Sequence, residues 1–166
     1  MNLLFDFTVD RETATIHITR EFDADQDLVW DAFTQPELLE QWMAPPPMKI
    51  QTKEMDFRVG GRWQYAMTPP ENVSRWSLAE YLEIDPKNSF TSRNSFCDEE
   101  GKPVNIGLSF SITKTSFTAG EKTTPVHISK KMGNLAELDQ FIAMGFKEGM
   151  SAVLLTLENL LKQMAG

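Results

Sequence analysis

Hydrophobic and polar residues alternate from Thr13 to Phe22, with Ile16 and Ile18 on one face and Thr15, His17 and Thr19 on the other. A two-residue period of this kind predicts a half-buried β-strand. Beyond Asp23 and Asp25, either of which can cap a helix, Leu28, Val29, Trp30, Ala32 and Phe33 recur at helical spacing. Thr34, with Glu37 three residues on, predicts a capping box around Pro36 for a second short helix through Leu38, Leu39 and Trp42. That helix must stop before Pro45, Pro46 and Pro47, which lack backbone donors and hold the chain extended.

Alternation then returns repeatedly, punctuated by Gly60-Gly61, Pro69-Pro70, Asp85 to Asn88, Asp98 to Pro103 and Ala119-Gly120. Read as turns, these separate strands over Met48 to Asp56, Arg62 to Thr68, Trp76 to Ile84, Ser89 to Cys97, Val104 to Thr113 and Thr124 to Lys130. With the first strand, about seven are expected, mostly antiparallel. Asn134 is positioned to cap a terminal helix, with Glu137 at its third position. From there to Met164 one long amphipathic helix is expected. Leu135, Leu138, Ile142, Phe146, Val153, Leu157 and Leu160 form its apolar arc, opposite Glu137, Lys147, Glu148, Ser151, Glu158 and Lys162. Gly145 and Gly149, poor helix formers, suggest that the helix backbone packs closely there or leaves room for a ligand.

One strand, two short helices, a meander and a long final helix make an α+β plan in which the helix lies across a curved antiparallel sheet. A helix cannot fill the hollow of a strongly curved sheet, so either bulky side chains plug the space or a cavity remains for a ligand.

Composition narrows the functional classes. The 166 residues, 41% hydrophobic, suit one domain spanning 1–166. The 16 Lys and Arg against 24 Asp and Glu give a net charge of -8, and no basic cluster offers itself to nucleic acid or an anionic membrane. MNLLFDFTVDRE lacks the basic and apolar regions of a signal peptide, and no run reaches the roughly 20 apolar residues of a spanning helix. A single cysteine, Cys97, excludes an intrachain disulfide and suits a reducing compartment, so a cytoplasmic location is expected.

The run Ile18-Thr-Arg20-Glu-Phe22-Asp-Ala24, followed by Val29-Trp30-Asp-Ala-Phe33-Thr34-Gln-Pro36-Glu37-Leu38 and Trp42, resembles the N-terminal signature of the activator of heat-shock-protein ATPase homologue family. Asp56-Phe-Arg58-Val-Gly60-Gly61-Arg-Trp63, Glu83 to Pro86, and Gly145-Phe146 through Leu154 are similar to its later segments. The resemblance covers essentially the whole chain and implies the helix-grip, START-like (SRPBCC) fold, with a ligand cavity between helix and sheet. Members differ widely in what they bind. The eukaryotic activator carries an additional N-terminal domain that has no counterpart of that size here, so chaperone activation is not assumed.

Candidate chemistry is sparse. His17 and His127 lie between apolar neighbours on their strands and are expected to face away from the core. No metal motif, G-x-S-x-G elbow or phosphate loop occurs, so no metal, cofactor or catalytic residue is assigned. Gly60-Gly61 is a turn, and Cys97 reads as a small hydrophobe at a strand end. Burying a polar side chain without a partner costs about 1–3 kcal/mol, so polar residues on apolar faces are informative. Glu80 shares parity with Trp76, Leu78, Leu82 and Ile84 and faces either the cavity or, through a bulge or edge position, solvent. Ser92 and Asn94 share a face with Phe90 and Phe96, and Tyr65 with Trp63 and Met67.

The expected ligand-binding set is Met48, Trp63, Tyr65, Trp76, Glu80, Asn94, Phe96, Phe110, Phe146 and Met150. The leading expectation is binding of a small, largely apolar molecule without catalysis. The alternatives are a chaperone-associated interaction module that uses the acidic surface, and an enzyme of the cyclase or hydrolase kind with Glu80 as general base.

Overall fold

The computed structural model describes residues 3–70, 74–104 and 106–165. Among these described residues eight strands form one antiparallel sheet, ordered β1-β2-β8-β7-β6-β5-β4-β3. They are β1 Phe5–Asp10, β2 Thr15–Phe22, β3 Lys49–Met55, β4 Arg62–Thr68, β5 Arg75–Asp85, β6 Ser89–Cys97, β7 Ser111–Phe117 and β8 Thr124–Lys131. Two short helices, α1 Gln26–Thr34 and α2 Pro36–Trp42, carry the chain from β2 to the far edge of the sheet, where β3 begins. Two more, α3 Leu135–Ala143 and α4 Phe146–Met164, end the chain. This is the helix-grip architecture.

The inner face of the sheet carries Ile16, Ile18, Phe22, Trp63, Tyr81, Phe90, Phe117, Val126 and Ile128. These join one core with Val29, Trp30 and Phe33 of α1, Leu39 and Trp42 of α2, and Val153, Leu154, Leu157, Leu160 and Leu161 of α4. Rings fill the end of the hollow nearest α1. Trp30 meets Phe57, Phe90 and Phe117 edge to face at centroid distances of 5.8, 5.9 and 5.2 Å. Phe33 contacts Trp42 and Phe117 at 4.9 and 5.3 Å. Such geometries add about 0.5–1.5 kcal/mol per pair to the gain from burial.

Four features differ from the sequence expectation. β1 raises the strand count to eight; Phe5, Phe7 and Val9 alternate with Asp6, Thr8 and Asp10, and β1 pairs along β2 as an edge strand. The strand expected from Val104 starts only at Ser111, because Gly107, at φ 89°, interrupts the extended run; Asn105 lies outside the described residues. The single terminal helix is two, broken where Gly145 takes φ 96° between Met144 and Phe146. Thr34 does not cap α2. Its hydroxyl donates back to the Trp30 carbonyl at 2.9 Å, and Gln35 starts α2 without a side-chain bond. The expected cap of α3 is present, with Glu137 N donating to Asn134 Oδ1 at 2.9 Å. The Pro69-Pro70 turn runs into residues 71–73, outside the described residues.

Part of the outer face of β4 to β6, at Gln64, Ala66, Leu78 and Cys97, is also buried, and this decides where several candidates point. Gln64, only 1% exposed, donates its Nε2 to the carbonyls of Asp98 and Glu99 at 3.3 and 2.8 Å. The loop after β6 thus covers Ala66, Leu78 and Cys97 from outside. Apolar residues therefore mark both faces of these strands, and apolar parity alone does not identify the inner one.

Candidate functional site

Register places a band of polar side chains on the inner face, beside the plugged end. Lys130 of β8 lies opposite Thr113 of β7, Thr113 opposite Ser92 of β6, and Ser92 opposite Tyr81 of β5. The next row is Ser111, Asn94, Ala79 and Trp63, and the one beyond it Phe96, Ser77, Tyr65 and Thr52. Directly opposed residues share a face, so the three rows form one continuous floor.

Exposure changes along this floor. Trp63, Ala79, Tyr81, Ser92 and Ser111 are buried, whereas Tyr65, Met67, Ser77, Asn94, Phe96, Thr113 and Lys130 remain half-buried. The start of α4 behaves alike: Phe146, Gly149 and Met150 are half-buried, while Val153, Leu154 and Leu157 further along are buried. A Cβ built on Gly149 would meet nothing within 4 Å. The close-packing explanation for this glycine is therefore replaced by open space beside the helix.

Local geometry orders the floor. The rings of Trp63 and Tyr65 stack with centroids 3.9 Å apart, and the Trp63 indole donates to Thr52 Oγ1 at 3.1 Å. Ser92 Oγ donates to Asn94 Oδ1 at 3.2 Å, and Lys130 Nζ to Thr113 Oγ1 at 3.3 Å. Burial pushes the Tyr65 and Tyr81 phenols up, in Tyr65 against the opposing effect of a hydrogen bond with Ser77. Burial also lowers the Lys130 amine to about 8. Both directions follow from the cost of forming a charge in a low-dielectric site.

The ten expected residues separate into groups. Trp63, Tyr65, Asn94 and Phe96 come together on the inner floor, and Phe146 and Met150 pack against the core from α4. Met48 lies half-buried in the loop entering β3. Trp76 and Glu80 do not join them. The inner parity of β5 is Ser77, Ala79 and Tyr81, which turns Trp76 and Glu80 outward, and a bulge between Tyr81 and Glu83 returns Ile84 to the inner side. Glu80 is exposed and sits in register between Arg62 and Arg93. Phe110 is 42% exposed in the loop before β7, its ring 3.9 Å from the Arg93 guanidinium. Lys130, Thr113 and Tyr81 are not among the expected residues, although the parity of Lys130 with Val126 and Ile128 is a sequence signal for its inward placement.

Other groups lie apart from the floor. His17 and His127 face outward and stack, with Nδ1 of one 3.2 Å from Nε2 of the other; burial, then the neighbouring imidazole, lowers the pKa of His127. Cys97 is buried, and burial raises its thiol pKa, which disfavours the reactive thiolate. Among the described residues no three His, Cys, Asp or Glu side chains converge as metal ligands. Among the described residues no helix is long and apolar enough to cross a membrane. A hollow of about 380 Å3 between Trp76, Cys97 and Val104 opens on the outer side, and one of about 600 Å3 lies between the loop after Pro103 and the start of α3.

The arrangement resembles solved bacterial structures along nearly its whole length. The crystal structure of protein Ms6760 from Mycobacterium smegmatis is 29% identical with a TM-score of 0.87, covering 96% of this chain and 97% of that one. A solution structure of a protein from Arthrobacter aurescens is 26% identical with a TM-score of 0.88, covering 95% and 91%. Another, from Staphylococcus epidermidis, is 27% identical with a TM-score of 0.82, covering 95% and 94%. No curated protein matches the sequence. The match to a family profile over residues 23–162 places the chain, as its motifs and helix-grip sheet suggested, in the family described as Activator of Hsp90 ATPase homolog 1-like protein.

Proposed function

We propose that the chain binds a small, largely apolar molecule between the inner face of its sheet and the start of α4. The observation that carries this reading is the contrast along one floor. Rings pack the end near α1, whereas Tyr65, Met67, Asn94 and Phe96 stay half-buried, as do Phe146 and Met150 at the start of α4. Covering such a surface with an apolar ligand yields about 25 cal/mol per Å2 removed from water, and Tyr65 and Asn94 supply hydrogen bonds that orient it. Glu80 has no place in this reading, because its carboxylate is exposed on the opposite face. The test is saturable fluorescence enhancement of the neutral probe N-phenyl-1-naphthylamine, combined with native mass spectrometry of gently purified protein. Saturation and a bound adduct are expected; the absence of both would remove the reading.

A second reading, docking on a chaperone, is favoured by family membership and by the net charge of -8, which suits a basic partner face. It predicts that the chain changes the ATPase rate of purified Hsp90 in a salt-dependent way. An unchanged rate at low salt would dismiss it.

A further inference from the structure

Lys130 is the anomaly of the inner face. Thr124, Val126, Ile128 and Lys130 share parity along β8, and the first three are buried. A lysine amine in such a position is normally held by a carboxylate, because burying its charge unpaired is costly. Of the other two cations of inner parity, Arg20 lies 3.3 Å from Glu158 of α4, and Arg75, opposite Met67 at the margin of the sheet, is exposed to water with its guanidinium 5.6 Å from the Phe96 ring centroid. Among the described residues Lys130 has no ion-pair partner. Its amine reaches only Thr113 Oγ1 and the face of Phe141 in α3, 5.4 Å from the ring centroid. Neither group titrates, and burial is the cause of its lowered pKa.

The surroundings complete a donor-rich site. Asn94 Oδ1 is occupied by Ser92, which leaves the Nδ2 hydrogens free to donate. Tyr81, one strand beyond Ser92, adds a phenol that burial keeps protonated. Cross-strand spacing of about 4.8 Å puts Lys130, Thr113 and Ser92 within reach of one small head group. The side chains of this row carry a single positive charge, with no guanidinium fork, which fits a monoanion better than a phosphate.

We propose that Lys130 is the anion-docking group of the groove, and that the ligand is an amphipathic molecule whose carboxylate meets Lys130 while its apolar body covers Tyr65, Met67 and Phe96. This rests on the groove-binding reading above. A carboxylate beside the amine supplies the missing counter-charge and holds the proton on the lysine.

The test compares decanoate with 1-decanol, which shares its tail and lacks its charge, as competitors of N-phenyl-1-naphthylamine on the full chain at pH 7. Decanoate is expected to bind about tenfold more tightly. Lys130→Met should bring the two competitors within about twofold without weakening decanol, and Lys130→Arg should keep the preference. A wild-type measurement stands beside the variants: the NMR titration of the Lys130 side chain should move to higher pH with decanoate and stay in place with decanol. Equal affinities, a preference that survives Lys130→Met, or an unmoved titration each overturn the anion assignment and leave groove binding standing. Failure of both competitors and of the probe to bind removes groove binding as well.

Discussion

At the scale of single residues, Lys130 combines a cost with a use. Its pKa, near 10.5 when unfolded and about 8 when folded, means that the folded state binds fewer protons between those values. Stability from this group is therefore missing below about pH 8 and recovered as pH rises toward 10.5. Lys130→Met should be more stable than wild type at pH 7 by on the order of 2 kcal/mol, with the gap closing across that window. Urea midpoints of both proteins at pH 7 and 9.5 check this, and a gap that widens with pH would contradict it. His127 gives the opposite case for a histidine gaining a partner, because burial and His17 lower its pKa. Its contribution is complete above pH 6.5 and is lost as pH falls through the lowered folded value. His127→Gln should accordingly lose less stability than wild type between pH 7 and 5. The outward placement of both histidines was legible from alternation alone. The same alternation places Lys130 inward, but at the last residue of its expected strand, where a long side chain can equally reach water past the strand end.

At the scale of elements, the two glycines of the final helical segment play different parts. Gly145 holds φ 96°, so Gly145→Ala puts a Cβ into left-handed backbone and should cost about 1–2 kcal/mol in a urea titration, although only Glu148 Oε2 comes within 4 Å. Gly149 is inside α4 with open space around it, so Gly149→Ala should stabilise by up to about 1 kcal/mol. Gly149→Phe should fold and yet lose N-phenyl-1-naphthylamine binding, since its ring would occupy the groove. Both breaks from the sequence expectation here are single-residue backbone events. A helical period continues through one left-handed residue such as Gly145, and a strand period through a bulge such as the one at Tyr81 and Glu83, so neither was visible in the pattern of apolar positions. Trp76 faces outward, and Glu80 takes the solvent-facing one of its two expected placements, for a different reason. The loop from Asp98 to Pro103 buries the stretch of the outer side of β4 and β5 that carries Gln64, Ala66 and Leu78, which makes Leu78 and Ala66 look like members of the inner face.

At the scale of the whole molecule, helix-grip topology was readable because its elements are long, strongly periodic and separated by turn residues, and because the motifs from Ile18 to Trp63 are spread along the chain. What the hollow contains was not readable, since it depends on how far rings from α1 reach. Trp30, Phe33 and Phe57 close one end, and the start of α4, thinned by Gly149, leaves the other half-covered. Family membership and the similar bacterial structures agree with this architecture, while the occupant depends on the side chains of this chain. The most direct test of where a ligand sits uses the indole N–H signals of the four tryptophans. Trp63 is on the inner floor, bonded to Thr52, and Trp76 is on the outer face of the same sheet. On titration with decanoate, the Trp63 indole resonance should shift progressively to saturation while that of Trp76 stays in place. A shift confined to Trp76, or no shift in either, would contradict a binding site between the sheet and α4.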